Sequence, residues 1–287
     1  MNAPTLPFTP ALQQQLRAWL QEDLGRGDLT APALQGRSAR AHWISKADGV
    51  FCGGVLLEPL LHFLDPAAQV QVLVQEGQPV GAGQRLLELE GAATALVAVE
   101  RTALNLAMRL SGIATATAGL VAQLAGSGVR LADTRKTTPG LRVLEKYAVR
   151  CGGGVNHRLG LDDAAMLKEN HLAWAGGVAP AIAAVRAASP WPARVIVEAE
   201  TAAEAEAAVA AGADGVLLDE FSPAALQELV PRLRALAQGP VVLEASGVQP
   251  EQLSAYAATG IDLISTSAPI TRAPWLDLSM RFSLGEG

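Results

Sequence analysis

The chain reads as an α/β protein, a β/α barrel carrying a smaller N-terminal α/β domain, and three observations predict it. From residue 129 onward, short apolar strands alternate with alanine-rich helices. Strands are expected at 129–134 (VRLADT), 164–170 (AAMLKEN), 194–200 (RVIVEAE), 215–221 (GVLLDEF), 240–246 (PVVLEAS) and 262–268 (DLISTSA). The last four begin roughly 20 to 25 residues apart, the length of a βα unit. Secondly, the strands are almost wholly apolar and the intervening segments 202–212 and 223–237 are amphipathic. That combination means a parallel sheet covered by helices. Thirdly, every strand turns polar at its C-terminal end. The pairs are Arg135 and Lys136, Lys168 and Glu169, Glu198 and Glu200, Asp219 and Glu220, Glu244 and Ser246, and Ser265 and Ser267. Active sites of β/α barrels are built on that rim. An unpartnered charge on a buried strand costs several kcal/mol, so six polar ends point to a ligand. An open doubly wound sheet gathers ligands at the same edge, but the spacing and the missing GxGxxG favour the barrel.

The N-terminal part follows a different rhythm. Leu12, Leu16, Leu20 and Leu24 fall at spacings of four and predict a helix over 10–24. Between about 40 and 90 the pattern shifts to short strands. Residues 70–91 alternate apolar and polar positions and break at Gly77, Gly81 and Gly83, as in a small β-sandwich. A lipoyl-type carrier is excluded, because Lys46 lies well upstream of any hairpin tip. A helix is expected over 92–112, resuming after a break to about 125. The expected domains are 1–112, joined by the tail 273–287, and a barrel over 113–272.

Composition narrows the functional classes. The chain has 287 residues, a net charge of -6 and a pI near 5.3, so a basic nucleic-acid surface is not expected. Aromatic residues make up only 4 %, too few for a base-stacking platform. No uninterrupted apolar run has the length of a membrane span, and the N-terminus lacks the charged and apolar regions of a signal peptide. Cys52 and Cys151 are far apart in sequence with no CxxC, which suits a reducing compartment and a cytoplasmic protein.

Against that acidic background, residues 133–171 concentrate positive charge. Three of the four lysines (Lys136, Lys146, Lys168) lie here with Arg135, Arg142, Arg150, Arg158, His157 and His171. A local pocket for a polyanionic small molecule explains this best. Arg135 and Arg158 offer planar forks for carboxylates or phosphates. Lys136 and Lys168 are compact charges for phosphate oxygens, and His157 is a further donor. Arg142, Lys146 and Arg150 fall at helical spacing in 141–150 and read as surface ion pairs. The glycine-rich CGGGVNHR (151–158) allows close backbone approach but is no Walker loop. Glu198, Glu200, Asp219 and Glu244 suit Mg²⁺ or sugar hydroxyls, or salt bridges to the basic group. EASG (244–247) and STSA (265–268) suit a backbone phosphate cradle or plain turns. Arg101 opens a helix ahead of the barrel and has no role that composition can choose.

Taken together, several stretches resemble the quinolinate phosphoribosyltransferase family. They are 22–30 (EDLGRGDLT), 100–115 (ERTALNLAMRLSGIAT), 132–171, 197–201 (VEAET), 215–223 (GVLLDEFSP), 244–247 and 276–282 (LDLSMRF). The likeness runs over nearly the whole chain, and the central block is the specific part. It implies an incomplete β/α barrel of the type II phosphoribosyltransferase kind, with an N-terminal α/β sandwich domain. It implies transfer from phosphoribosyl pyrophosphate to quinolinate with Mg²⁺ and no organic cofactor, releasing pyrophosphate and CO₂. A homodimer with shared active sites is implied, and higher assembly is left open. By the resemblance, Arg101 reaches the neighbouring subunit's site and, with Arg135, His157 and Arg158, holds the two carboxylates. Lys136 and Lys168 meet phosphoribosyl pyrophosphate or the acid. Glu198 and Asp219 hold ribose hydroxyls and the metal, the metal mainly through substrate and water. Ser246 and Gly247 sit by the 5′-phosphate, and Thr134 and Ser267 join the substrate-binding set. Catalysis falls to Lys136, Lys168, Glu198 and Asp219.

The chain departs from the family pattern after its last strand. Ser267, Pro269, Thr271 and Arg272 stand where the family has a glycine, a leucine, a histidine and a serine, and the loop at Val248 is shorter. A paralogous enzyme on another acid therefore stays open, a molybdenum-transport-associated relative being one type. A Schiff-base aldolase using Lys168 and a ligand-sensing protein are the more distant readings.

Overall fold

The computed structural model describes residues 4–283, so the ends of the expected ranges 1–112 and 273–287, residues 1–3 and 284–287, lie outside the described residues. In chain order the strands are β1 (Ser38–Ser45), β2 (Gly49–Val50), β3 (Gln69–Val72), β4 (Pro79–Val80), β5 (Arg85–Ala92), β6 (Arg130–Ala132), β7 (Ala165–Leu167), β8 (Val195–Ala199), β9 (Gly215–Asp219), β10 (Val242–Ser246), β11 (Leu263–Ser265) and β12 (Leu278–Ser283). The helices are α1 (Pro10–Leu24), α2 (Leu57–His62), α3 (Ala93–Gln123), α4 (Arg142–Cys151), α5 (Glu169–Ala175), α6 (Val178–Ala188), α7 (Ala202–Ala210), α8 (Pro223–Leu236), α9 (Leu253–Ala257) and α10 (Ala268–Thr271). They form two compact units. One runs to Ala118 and adds Thr138–Gly153 and the chain from Arg272; the other is Gly119–Thr137 with Gly154–Thr271.

In the first unit, β12, β1, β5 and β3 form a four-stranded sheet, and β2 pairs with β4. The strand β1 lies antiparallel to both neighbours, with Trp43 opposite Met280 on one side and Leu87 on the other. Ala41, Trp43 and Ser45 are buried while the residues between them are more open, the two-residue period of a half-buried strand. The tail thus returns to this sheet through β12. The helix α1 starts where Thr9 accepts the Leu12 N–H at 3.2 Å and Pro10 takes the first turn. It buries Leu12, Leu16 and Leu20 and stops at Gly25, at φ 52°.

The break expected near residue 112 is absent, and α3 runs unbroken for 31 residues. A helical glycine costs about 1 kcal/mol against alanine, and tertiary packing overrides that here. A Cβ on Gly112 would lie 2.0 Å from the Pro274 carbonyl oxygen, so only glycine lets the returning tail lie against the helix. Ser111 also donates to the Cys52 carbonyl and accepts its N–H, both at 2.9 Å. Among the described residues α3 is the one helix long and apolar enough to cross a membrane by length and composition, and half of its most apolar window is buried in the protein.

The helix α4 groups with the first unit, whereas the expected barrel range 113–272 included it. Glu145 is fully buried against Arg109 of α3, and a Cβ on Gly152 would meet the Ala114 carbonyl at 2.4 Å. The surface reading of Lys146 is also corrected, since Lys146 is 1 % exposed. Cys52 and Cys151, distant in sequence, lie with Glu76 in one group whose ligand atoms are all within 4.8 Å. Burial pushes the Cys52 thiol up, and the Glu76 carboxylate already accepts the Gly53 and Val55 N–H groups at 2.7 and 3.0 Å.

The second unit is the incomplete β/α barrel. Its sheet is wholly parallel in the order β6-β11-β10-β9-β8-β7. All six expected strands are present, each shorter than its expected range. The strand β6 gains a bridge from Ala132 to Val155 at its open edge. Val195, Val197, Val216, Leu218, Leu243 and Ile264 of the strands pack with Leu226, Leu229 and Leu233 of α8 in the core. The N-terminal ends of the strands are closed by acids. Asp214 accepts the Val195 N–H at 2.8 Å and Asp262 the Leu243 N–H at 2.7 Å, and Arg234 pairs with Asp262 at 2.7 Å.

Gly112→Ala should lower the unfolding free energy by about 1–3 kcal/mol, the range for overpacking, as measured by urea denaturation. Unchanged stability would show that the tail does not lie against α3.

Candidate active site

The C-terminal ends of β6 to β11 carry the charged residues. Asp133, 1 % exposed, follows β6 and is the organising acid of the first cluster. One carboxylate oxygen accepts the His157 N–H at 2.9 Å and the other accepts from the Asn156 side chain at 2.7 Å. These bonds tie the glycine-rich segment to the end of β6, next to the Ala132–Val155 bridge. Asp133 and Asn156 were not singled out from the sequence. The one available signal was an acid at the end of an apolar strand, just ahead of a basic run.

His157 Nδ1 accepts the Arg158 N–H at 2.7 Å, which leaves Nε2 to carry the ring proton. Nε2 lies 3.3 Å from a Glu244 carboxylate oxygen, and both side chains are buried. The other Glu244 oxygen is buried with no hydrogen-bond partner among the described residues. An open buried acceptor of this kind is a place for a donor on a ligand. Arg158 donates through Nη1 to the Ala164 carbonyl at 2.9 Å. Its guanidinium is pushed below its ordinary range by burial and then by Arg135, while Glu198 opposes the shift. Arg135 and Arg158 therefore stand close enough to repel, as two cations sharing one anionic ligand would.

The neighbouring strand ends carry the second cluster. Lys168, at the N-cap of α5, makes an ion pair with Glu198. Glu198, Glu200 and Asp219 each offer a carboxylate oxygen, all within 4.8 Å of one another. Glu198 lies in β8 and Glu200 just beyond its end, and their carboxylates converge although only one of them is in the strand. Ser246, opposite Asp219 in the β9–β10 register, donates its hydroxyl to that carboxylate. Gly247 turns away at φ 75°, and a Cβ there would meet the Glu220 carboxylate at 2.6 Å. This oxygen-rich set suits a hard divalent cation. Lys168 faces a carboxylate, not the charge-poor pocket of an imine-forming lysine.

The remaining sequence candidates are more open. Thr134 accepts the Lys136 N–H at 3.0 Å in a tight turn, and Lys136 itself is exposed. Ser267 accepts the Ile270 and Thr271 N–H groups at 2.9 and 2.8 Å, so its carbonyl begins α10. Pro269 and Thr271 fall within α10, and Arg272, exposed, is the first residue of the returning stretch in the first unit. Arg101 is exposed on α3 in the first unit. The structure thus gathers Thr134, Arg135, His157, Arg158, Lys168, Glu198, Asp219, Ser246 and Gly247 on the strand ends of one unit, with Lys136 on the adjoining turn and Ser267 after β11.

Comparisons with known proteins agree over nearly the full length. Family models described as quinolinate phosphoribosyl transferase, N-terminal domain and C-terminal domain, match residues 28–111 and 113–281. A probable nicotinate-nucleotide pyrophosphorylase (carboxylating) of Synechocystis is 45 % identical over 281 residues, covering 97 % of this chain and 93 % of that protein. The human nicotinate-nucleotide pyrophosphorylase (carboxylating) is 37 % identical over 267 residues, covering 92 % and 89 %. The solved structure of the nicotinate-nucleotide pyrophosphorylase from Francisella tularensis matches with a TM-score of 0.90 at 36 % identity, covering 98 % of this chain and all of that one. With both domains matched and the paired cationic and acidic strand ends in place, the chain belongs to the quinolinate phosphoribosyltransferase family.

Proposed function

We propose that the protein joins quinolinate to phosphoribosyl pyrophosphate and decarboxylates the adduct, giving nicotinate mononucleotide, pyrophosphate and CO₂ for NAD biosynthesis. The observation that carries this reading is one rim with two opposed charge sets. Arg135, His157, Arg158 and Lys168 suit a dicarboxylate and phosphates. Glu198, Glu200 and Asp219, with oxygens within 4.8 Å, suit a divalent cation and ribose hydroxyls.

In this reading Arg135 and Arg158 grip the two quinolinate carboxylates, and His157, oriented by Asp133 and Glu244, adds a donor. The ring nitrogen then faces C1′ of the ribose. As the bond from C1′ to pyrophosphate breaks and the bond to nitrogen forms, the sugar carries oxocarbenium-like charge. Glu198 and Asp219 steady that charge, and Lys168 and Lys136 steady the leaving pyrophosphate. Magnesium is the proposed metal; Glu198 and Asp219 would hold it, and it would supply charge neutralisation for the leaving pyrophosphate. The new pyridinium nitrogen is an electron sink. The bond from C2 to its carboxylate breaks, CO₂ leaves, and the electron pair takes up a proton at C2. Ser246 and Gly247 serve the 5′-phosphate, with Thr134 and Ser267 lining the substrates.

Following the family resemblance, Arg101, exposed on α3, is given to the site of a second copy in a homodimer. The cytoplasm, where quinolinate and phosphoribosyl pyrophosphate meet, is the proposed location.

Incubating the protein with quinolinate, phosphoribosyl pyrophosphate and Mg²⁺ should give nicotinate mononucleotide and CO₂ in equal amounts, and nicotinate should fail as acceptor. A folded protein without product would point to a paralogue on another acid. Lys168→Ala should lower kcat/KM by about 10²-fold or more, the scale for one electrostatic contact in the transition state. Arg101→Ala should be equally impaired alone. Mixed with Lys168→Ala it should regain activity through hybrid dimers, and no recovery after verified subunit exchange would contradict the shared site.

A further inference from the structure

We propose that Glu145 is a positioning residue for the phosphoribosyl transfer described above, a reading on which this inference rests. Glu145 is on α4, outside the strand-end clusters, and its side chain is 0 % exposed. An ionised carboxylate in such a place needs full satisfaction, because a buried unpaired charge costs far more than an exposed one. Four donors supply it. Arg109 of α3 gives Nε at 3.2 Å and Nη2 at 2.8 Å to one oxygen. Thr138 gives its hydroxyl to the same oxygen and its N–H to the other, both at 2.8 Å.

These partners are informative. Thr138 is the second residue after Lys136 along the chain, so its two bonds to Glu145 anchor the C-terminal end of the segment bearing Arg135 and Lys136. At the other end of that segment, Asp133 is fixed through Asn156 and His157. Between the two anchors the Lys136 N–H donates to the Thr134 hydroxyl and the Thr137 N–H to the Arg135 carbonyl, at 3.0 and 2.9 Å. Arg109 lies two helical turns beyond Arg101 on α3. Both arginines line one cavity of about 540 Å³ with Thr138 and Pro139. One buried carboxylate therefore ties α3 to Thr138, the second residue after Lys136 along the chain.

Two substitutions test this, with kinetic constants taken per folded protein and the folded fraction checked by circular dichroism. Glu145→Gln keeps the shape but weakens both pairings. It should lower kcat/KM for quinolinate by about 10²-fold, the scale of an ångström-level misplacement. Glu145→Gln also removes the Glu145 charge that Arg109 pairs with, which lowers stability. Thr138→Val is the milder variant, since it removes only the hydroxyl bond. It should raise KM for quinolinate several-fold with a smaller change in kcat, and Thr138→Ser should restore KM. Unmoved constants in both folded variants of an active wild type would overturn the positioning role alone. An inactive wild type would overturn the proposed function and this role with it.

Discussion

Charge at the C-terminal ends of a parallel sheet has to be neutralised, and the rest of this site depends on how that is done. The strands are buried on both faces, so any ionised side chain at their ends sits beside a low-dielectric core. Each charge at this end meets a polar partner. Lys168 pairs with Glu198, His157 faces Glu244, and Asp133 is held by the Asn156 side chain and the His157 N–H. At the opposite end of the sheet Asp214 and Asp262 are consumed by strand N–H groups and arginines. Those acids are structural. The pairs at the C-terminal end are open, with one Glu244 oxygen unpartnered among the described residues and Arg135 set against Arg158.

Binding in such a site is an exchange of partners. A dicarboxylate gives Arg135 and Arg158 the negative charge they lack, and Lys168 trades Glu198 for a ligand oxygen. Glu198 and Asp219 are then released toward a cation and sugar hydroxyls. The Glu198 and Glu244 carboxylates are already largely out of bulk water, whereas Lys168 is still half-exposed, and the exchange selects ligands that carry both signs of complement. A neutral acid of the same size would leave the two guanidiniums facing each other.

Much of this was legible in the sequence because it is local. Strand positions follow from apolar runs, and the active rim follows from where each run turns polar, so Lys168, Glu198, Asp219 and Ser246 stood out from spacing. Arg101 and Lys136 were named through the family resemblance and local charge. What stayed hidden depends on contacts between distant residues. Gly112 reads as a helix break until Pro274 is seen lying against it. Lys146 reads as a surface residue on a charged helix until α4 is found packed in the first unit, and Glu145 beside it draws no notice until it is found buried against Arg109. Asp133 is one acid among many cations until it meets the backbone of His157. Cys52 and Cys151 show no spacing motif, yet they fold beside the same Glu76.

The partner-exchange account is tested most directly by a crystal structure of the protein with quinolinate and a non-reactive phosphoribosyl pyrophosphate analogue bound. The account predicts both quinolinate carboxylates on Arg135 and Arg158, Lys168 moved from Glu198 to a ligand oxygen, and Glu198 and Asp219 turned to the metal and the ribose. A Lys168–Glu198 pair left intact, with quinolinate bound away from the two arginines, would contradict it.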